Sequence, residues 1–173
     1  GSNSGTDYVD RVYFDTSNYM YYSQITWNGS SFSVRTRDGY SMADHPVVEV
    51  SWYGAMAFAN YYGWRLPTEW EWQAVADYNG SYTYGCGTTI NQSKANYSNA
   101  NPLGLTSDPH TSPVGYYPAY GYGMCDMAGN VWEWTKSIDS GSYPVIRGGS
   151  WSDFYNDCEV SAWGGHNPSR TPY

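Results

Sequence analysis

From Gly80 to Gly123 the chain shows no repeating apolar period, and this stretch limits its fold more than any other feature. It is rich in Gly, Pro, Asn, Tyr and Ser, so neither an amphipathic helix nor an alternating strand can be laid through it. A structureless run of that length inside a compact domain usually carries function or a metal site. The fold must then consist of a few short regular elements framing a large loop. Composition agrees, since 19% of residues are aromatic, with 20 Tyr and 9 Trp, while only 14% are charged. Tyr and Trp can bury a ring face and leave a polar edge wet, which suits a loop-rich interior. So many rings with so few charges exclude a disordered chain. The 173 residues suffice for one sizeable core, so a single domain over 1–173 is expected.

The regular elements sit on either side of that loop. Residues 19–37 read as a hairpin: Ile25 and Trp27 precede Asn28-Gly29, and Phe32, Val34 and Thr36 alternate after it. Asn-Gly supplies the positive backbone angles of a type I′ turn, and Asp38-Gly39 ends the second strand. A first helix is expected from an N-cap at Ser51 through Trp52, Met56, Ala59 and Asn60, stopped by Gly63 in a left-handed cap position. A second starts at Thr68, whose partner Glu71 completes a capping box, and buries Trp72, Val75 and Ala76. Pro67 in the Arg65-Leu66-Pro67 link cannot continue the first helix. Strands are expected at 131–134 and 144–147, the second followed by Gly148-Gly149-Ser150-Trp151. Gly1 to Gly5 reads as a linker. There is no internal repeat.

Charge and special residues narrow the function classes. A net charge of −8 repels a nucleic-acid backbone and an anionic membrane, so neither is an expected partner. No apolar run has the length of a membrane span and no signal peptide is visible. Cys86, Cys125 and Cys158 leave at least one thiol unpaired, which excludes a disulfide-stapled scaffold. The Asn-x-Ser sequons at Asn28, Asn79, Asn91 and Asn96 are chance matches in a chain rich in Asn and Ser. His45, His110 and His166 do not pair at helical ligand spacing and read as surface or hydrogen-bonded groups. Glu69 and Glu71 already serve the helix start, and no nucleophile elbow, phosphate loop or Cys-x-x-Cys occurs.

The order of several blocks carries a resemblance. His45-Pro46-Val47-Val48, Val50-Ser51-Trp52, Arg65-Leu66-Pro67-Thr68-Glu69-Trp70-Glu71-Trp72, Gly129-Asn130-Val131-Trp132-Glu133-Trp134 and Arg147-Gly148-Gly149-Ser150-Trp151 resemble the signature blocks of the formylglycine-generating-enzyme family. The resemblance covers roughly residues 45 to 173 and leaves 1–44 without a family counterpart. It implies an α+β domain of C-type lectin fold, with two helices, short twisted antiparallel sheets and much irregular loop. That fold serves oxidases, the sulfur-transfer enzymes of thiol-histidine synthesis and diversified ligand-binding proteins, so it does not fix function.

The oxidase members of such a family hold Cu(I) with two cysteines after the Gly-Gly-Ser block. Here Cys158 stands at the second position but Asp153 at the first, and a carboxylate is a hard, poor ligand for Cu(I). No copper is therefore expected, and Cys158 reads as a small buried apolar residue. The segment after Trp151 instead resembles the variable region of proteins diversified by retroelements. Mutating the adenines of Asn codons reaches every residue type of 152–173 except those of Glu159 and Trp163. The block ending in Trp151, Cys158, Ser161 and Asn167-Pro168 stand where such regions keep fixed residues, although the chain ends at Tyr173, ahead of the Gly-Phe-Arg they continue into.

The resemblance implies a binding protein whose aromatic anchors are Phe154, Tyr155, Trp163, His166 and Tyr173, with Ser152, Asp153, Asp157 and Thr171 as adaptable polar contacts. Its partner is expected to be a protein or glycan on a cell surface, which favours a virion, extracellular or cell-surface location. Gly164-Gly165 and Pro168 mark that segment as exposed loop without periodicity. Trp132, Trp134 and Trp151 are expected in the core. Similar blocks hold a structural Ca²⁺, so the resemblance implies Asn130 and Glu133 as its oxygen ligands here, with a plain loop-stabilising role for Asn130 as the alternative. The alternative is a copper oxidase of the formylglycine-generating type acting on a peptide cysteine through Cys158, and a third option is a structural surface protein without a discrete ligand.

Overall fold

A computed structural model describes residues 4–6, 12–15 and 22–170. Its two helices are the ones the caps predict. Helix α1 spans Trp52–Tyr61; the Ser51 side chain accepts the Gly54 N–H at its start, and Gly63 follows its end with φ +73°. Helix α2 spans Glu69–Ala76 behind a complete capping box between Thr68 and Glu71. Its buried face is Trp72 and Ala76, with Val75 half-buried beside them.

The strands are short and antiparallel: β1 Ser4–Thr6, β2 Val12–Asp15, β3 Ile25–Trp27, β4 Phe32–Val34, β5 Thr36–Arg37, β6 Tyr40–Ser41, β7 Glu133–Ile138, β8 Pro144–Arg147 and β9 Gly164–Gly165. They form three two-stranded ribbons and one three-stranded sheet, β7-β8-β9. In that sheet Glu133 lies opposite Arg147 and Trp134 opposite Ile146, while Ile146 also faces Gly164. Every residue of β8 is buried, as a central strand covered on both faces requires.

Helix α2 packs on β7 and β8, and α1 on β2 and β7. Three indole N–H groups fasten this arrangement. Trp52 donates to the Thr135 carbonyl at 2.8 Å, Trp134 to that of Val50 at 3.0 Å, and Trp72 to the Glu133 carboxyl at 2.6 Å. Each ring therefore contributes buried area and also satisfies its own polar edge. Trp151 is in the core as expected, whereas Trp132 and Trp134 are half-buried.

Four local expectations are corrected. Ser4–Thr6 pairs with β2, so the linker at 1–5 already enters a strand at Ser4. The Asn28-Gly29 hairpin holds between Trp27 and Phe32, but its loop is four residues long. Only Gly29 takes positive φ there, because the Asn28 side chain accepts the N–H groups of Ser30 and Ser31 and makes its own turn. The tight turn with both central φ values positive is Asp38-Gly39, at +49° and +88°, joining β5 to β6. The predicted strand at 131–134 begins two residues later and runs to Ile138. Gly164-Gly165 is strand β9 and not free loop. Residues 19–21 of the predicted hairpin, with Thr171 and Tyr173, lie outside the described residues.

The long irregular stretch is held by side chains turned inward. The buried Asn130 carboxamide accepts the Ser112 N–H at 2.9 Å and donates to the Ser112 carbonyl at 3.2 Å, imitating a strand partner. Its backbone N–H reaches the Asn96 carbonyl at 2.7 Å, and Asn96 in turn donates to that of His110. Asn101 closes a loop on Leu105 through both ends of its amide. Apolar packing adds two clusters: Trp72, Ala76, Met127 and Val160, and a second of Tyr84, Cys86, Ala95, Ala128 and Cys158.

Candidate functional site

The segment after Trp151 is pinned through its backbone at every few residues. Asn99 and Ser98 donate N–H groups to the carbonyls of Trp151 and Asp153, both at 2.8 Å. A 3₁₀ turn at Tyr155–Cys158 then drops Cys158 into the core, fully buried. Val160 donates to the Thr83 carbonyl, and His166 to that of Pro144. Buried Arg147 sits at the centre. One of its guanidinium nitrogens donates to the Val160 and Ala162 carbonyls, and the other meets the Glu69 carboxylate at 2.7 Å. The first turn of α2 therefore fixes the path of the C-terminal segment through one side chain.

Against that fixed backbone the side chains divide. Phe154, Tyr155 and Trp163 are 67%, 57% and 55% exposed, and Ser152 is exposed beside them. Asp153 is half-buried and engaged, accepting both the backbone N–H and the hydroxyl of Ser150. A polar contact expected at the surface is thus a turn-closing group. Asp157 is half-buried in the 3₁₀ turn. His166 is half-buried with its ring edge on Trp134, at 5.9 Å between centroids. Among the described residues no ring contact joins Phe154 or Tyr155 to Trp163.

The thiols are equally well defined. Burial, with Asp153 and Asp157 nearby, pushes the Cys158 thiol up to about 12, and burial pushes Cys86 up to about 11. Both belong to the same core cluster, a proximity that their separation along the chain concealed. With Asp153 closed on Ser150 and Cys158 sealed inside, positions 153 and 158 do not fit a two-thiolate copper site.

The residues assigned to calcium do not fit it either. The Asn130 amide oxygen is taken by Ser112 and by Asn96, at 2.9 and 3.4 Å. Glu133 turns instead to the Trp72 indole, and burial, with Asp126 nearby, raises its carboxyl to about 7. Among the described residues no group of three or more His, Cys, Asp or Glu is placed to hold a metal ion. Glu133 lines a cleft of about 600 Å³ between the helix link, α2 and the loop before β7. No local motif announces that cleft, because its walls come from three separate parts of the chain.

Comparison with known proteins adds the following. The model of the sulfatase-modifying factor enzyme 1-like domain matches residues 6–172, including most of the N-terminal part that the sequence blocks left unassigned. The chain is 38% identical over 147 residues to the serine/threonine-protein kinase pkn1 of Chlamydia caviae, covering 73% of this chain and 22% of that protein. It is 41% identical over 113 residues to the formylglycine-generating enzyme of Mycobacterium tuberculosis, covering 60% of this chain and 37% of the enzyme. It therefore spans well under half of either relative. Among solved structures, Treponema denticola variable protein 1 matches with a TM-score of 0.62 at 22% identity, over 88% of this chain and 74% of that one. That last likeness bears on the fold alone, and it agrees with an α+β domain of the formylglycine-generating-enzyme type within the C-type lectin fold.

Proposed function

Since the chain belongs to the sulfatase-modifying factor enzyme 1-like domain family, we propose that it is a ligand-binding member whose C-terminal segment presents the contact residues. The observation that carries this is the division within 151–170: a backbone tied down at Trp151, Asp153, Val160 and His166, bearing the exposed rings of Phe154, Tyr155 and Trp163. Rings held on an ordered backbone lose little entropy on binding, and such residues dominate interfaces. The fold is shared with Treponema denticola variable protein 1, and diversification of this segment is part of the proposal. The proposed partner is a protein or glycan on a cell surface, met from a virion or microbial surface. Ser152 extends the same surface, and Thr171 and Tyr173 are further contact residues in this proposal on the sequence reading alone.

The test pairs Phe154→Ala with Tyr155→Ala and scores fluorescently labelled protein on a glycan array and on intact cells. Loss of binding with an unchanged melting temperature supports the proposal; loss of fold would make the two rings core. Diversification is checked separately by sequencing around the gene for a near-copy of codons 147–173, differing at adenines and lying beside a reverse transcriptase.

A second function has one observation in its favour. Cys86 lies in the core cluster with Cys158, so the fold supplies two neighbouring thiols where the oxidase pattern has only one. With relatives named formylglycine-generating enzymes, a copper-dependent peptide-cysteine oxidase is the alternative. Turnover of a cysteine peptide with added copper, abolished by Cys158→Ser, would establish it.

A further inference from the structure

The cleft of about 600 Å³ lies apart from the proposed ligand-binding segment and is lined by Trp64, Arg65, Glu71, Trp72, Met124 and Glu133 among others. Its charges are unevenly satisfied. Arg65 grips both carboxylate oxygens of Glu71 at 2.7 Å, so this pair presents little net charge. The other nearby cation, Arg147, faces Glu133 across the sheet but is committed to Glu69 and two carbonyls. Asp126 adds a further acidic group beside Glu133. Glu133 therefore has one hydrogen bond, from the Trp72 indole, and no ion pair among the described residues.

The walls suit a particular complement to that carboxyl. Trp64 is 63% exposed and carries Tyr62 stacked on it at 5.2 Å and 25°. An indole face attracts a cation more strongly than other rings do, and the attraction grows when water is excluded. Met124 adds a polarizable, adaptable wall. An anion would meet Glu133 and Glu71, and a chain of net charge −8 repels it from a distance. A purely apolar ligand would leave the Glu133 carboxyl buried with the Trp72 indole N–H as its one partner, which is costly.

We propose that this cleft binds an organic ammonium group on a short alkyl stem, with Glu133 as its counter-ion and the Trp64 ring against the stem and head. The stem lies along Trp64 and Met124, as lysine stems lie along apolar surface while their heads reach polar groups. The site is independent of the segment at 152–170, so it survives failure of the binding proposal made for that segment.

The test uses the whole chain, at mildly alkaline pH, titrated by calorimetry with n-butylammonium and with n-butanol as its uncharged counterpart. Expected is saturable binding of the amine, at least about tenfold tighter than of the alcohol, a margin typical of a partly desolvated cation against a carboxylate and a ring. Glu133→Gln should remove that preference. Trp64→Ala, a change at an exposed ring that leaves the core intact, should weaken the amine by roughly three- to tenfold. Separate arms with choline and with Nα-acetyl-lysine amide distinguish a quaternary ammonium head from a lysine side chain. Equal binding of alcohol and amine would overturn the proposal, as would saturation by Ca²⁺ in place of the amine, or no heat from any probe.

Discussion

Two regions of this molecule lack regular structure and use that freedom in opposite directions. Between residues 80 and 130, polar side chains turn inward: Asn96, Asn101 and Asn130 bond backbone groups that no strand partner reaches. Between 151 and 170 the backbone is satisfied by neighbouring loops and by Arg147, and large rings turn outward. Absence of periodicity is common to both, so it does not by itself mark a binding surface. What separates them is whether the side chains are needed to satisfy the backbone. Where they are, they belong to the fold; where the backbone is held by other means, they are free to meet a ligand.

Four changes would break or sharpen that contrast. Arg147→Ala should have the largest effect, since it leaves Glu69 and two carbonyls without their partner. A loss of about 3–5 kcal/mol is expected for breaking a buried pair, read as the shift in a urea midpoint with unchanged slope. If the segment at 151–170 were self-supporting, the loss would be much smaller. Asn130→Ala comes next, at roughly 2–3 kcal/mol for leaving the Ser112 N–H and carbonyl without their side-chain partner. Ala also tolerates the left-handed φ of +69° less well than Asn does, which adds to the loss. A stability change below about 0.5 kcal/mol, the range of ordinary surface substitutions, would contradict the inward role of that carboxamide.

A pH scan supplies the third. Glu133 titrates near 4.5 in the unfolded chain and at about 7 in the folded one. Below 4.5 the carboxyl is protonated in both states and contributes nothing. Between those values the unfolded chain releases a proton that the folded chain keeps, so this group lowers stability as pH rises to about 7, after which its effect is constant. The melting temperature of Glu133→Gln should lack that decline, and identical pH profiles for the two proteins would contradict the assignment. The smallest stability effect belongs to Phe154→Ala with Tyr155→Ala: within about 0.5 kcal/mol for each exposed ring, together with the loss of ligand binding proposed above. A melting temperature lowered as far as in Asn130→Ala would erase the distinction between the two regions.

Much of the fold was legible locally. Ser51, Gly63 and the Thr68–Glu71 box mark both helices because a cap involves residues within one turn of each other. The burial of Cys158 also followed from its type and position. The errors have equally specific causes. Asn28-Gly29 was read as a two-residue turn because the motif does not record that the Asn28 side chain can close a longer loop by itself. Asp153 was placed on the surface because its short polar side chain gives no hint of a bond back to Ser150. For Asn130 and Glu133 the sequence left a metal and a structural role both open, because oxygen ligands on a loop look the same whether they face an ion, a backbone or an indole.

The sequence by itself determined the family, the two capped helices, the buried cysteine and the outward aromatic character of the last segment. Each depends on residue type or on neighbours within a few positions. Tertiary structure alone decided that Arg147 holds both Glu69 and the C-terminal segment, that Trp72 reaches Glu133, that Cys86 joins Cys158, and that Trp64 and Glu133 line one cleft. These pairings join residues distant in the chain. A hydrogen bond or a cleft depends on distances of a few ångströms, and for such residues those distances exist only once the chain has folded.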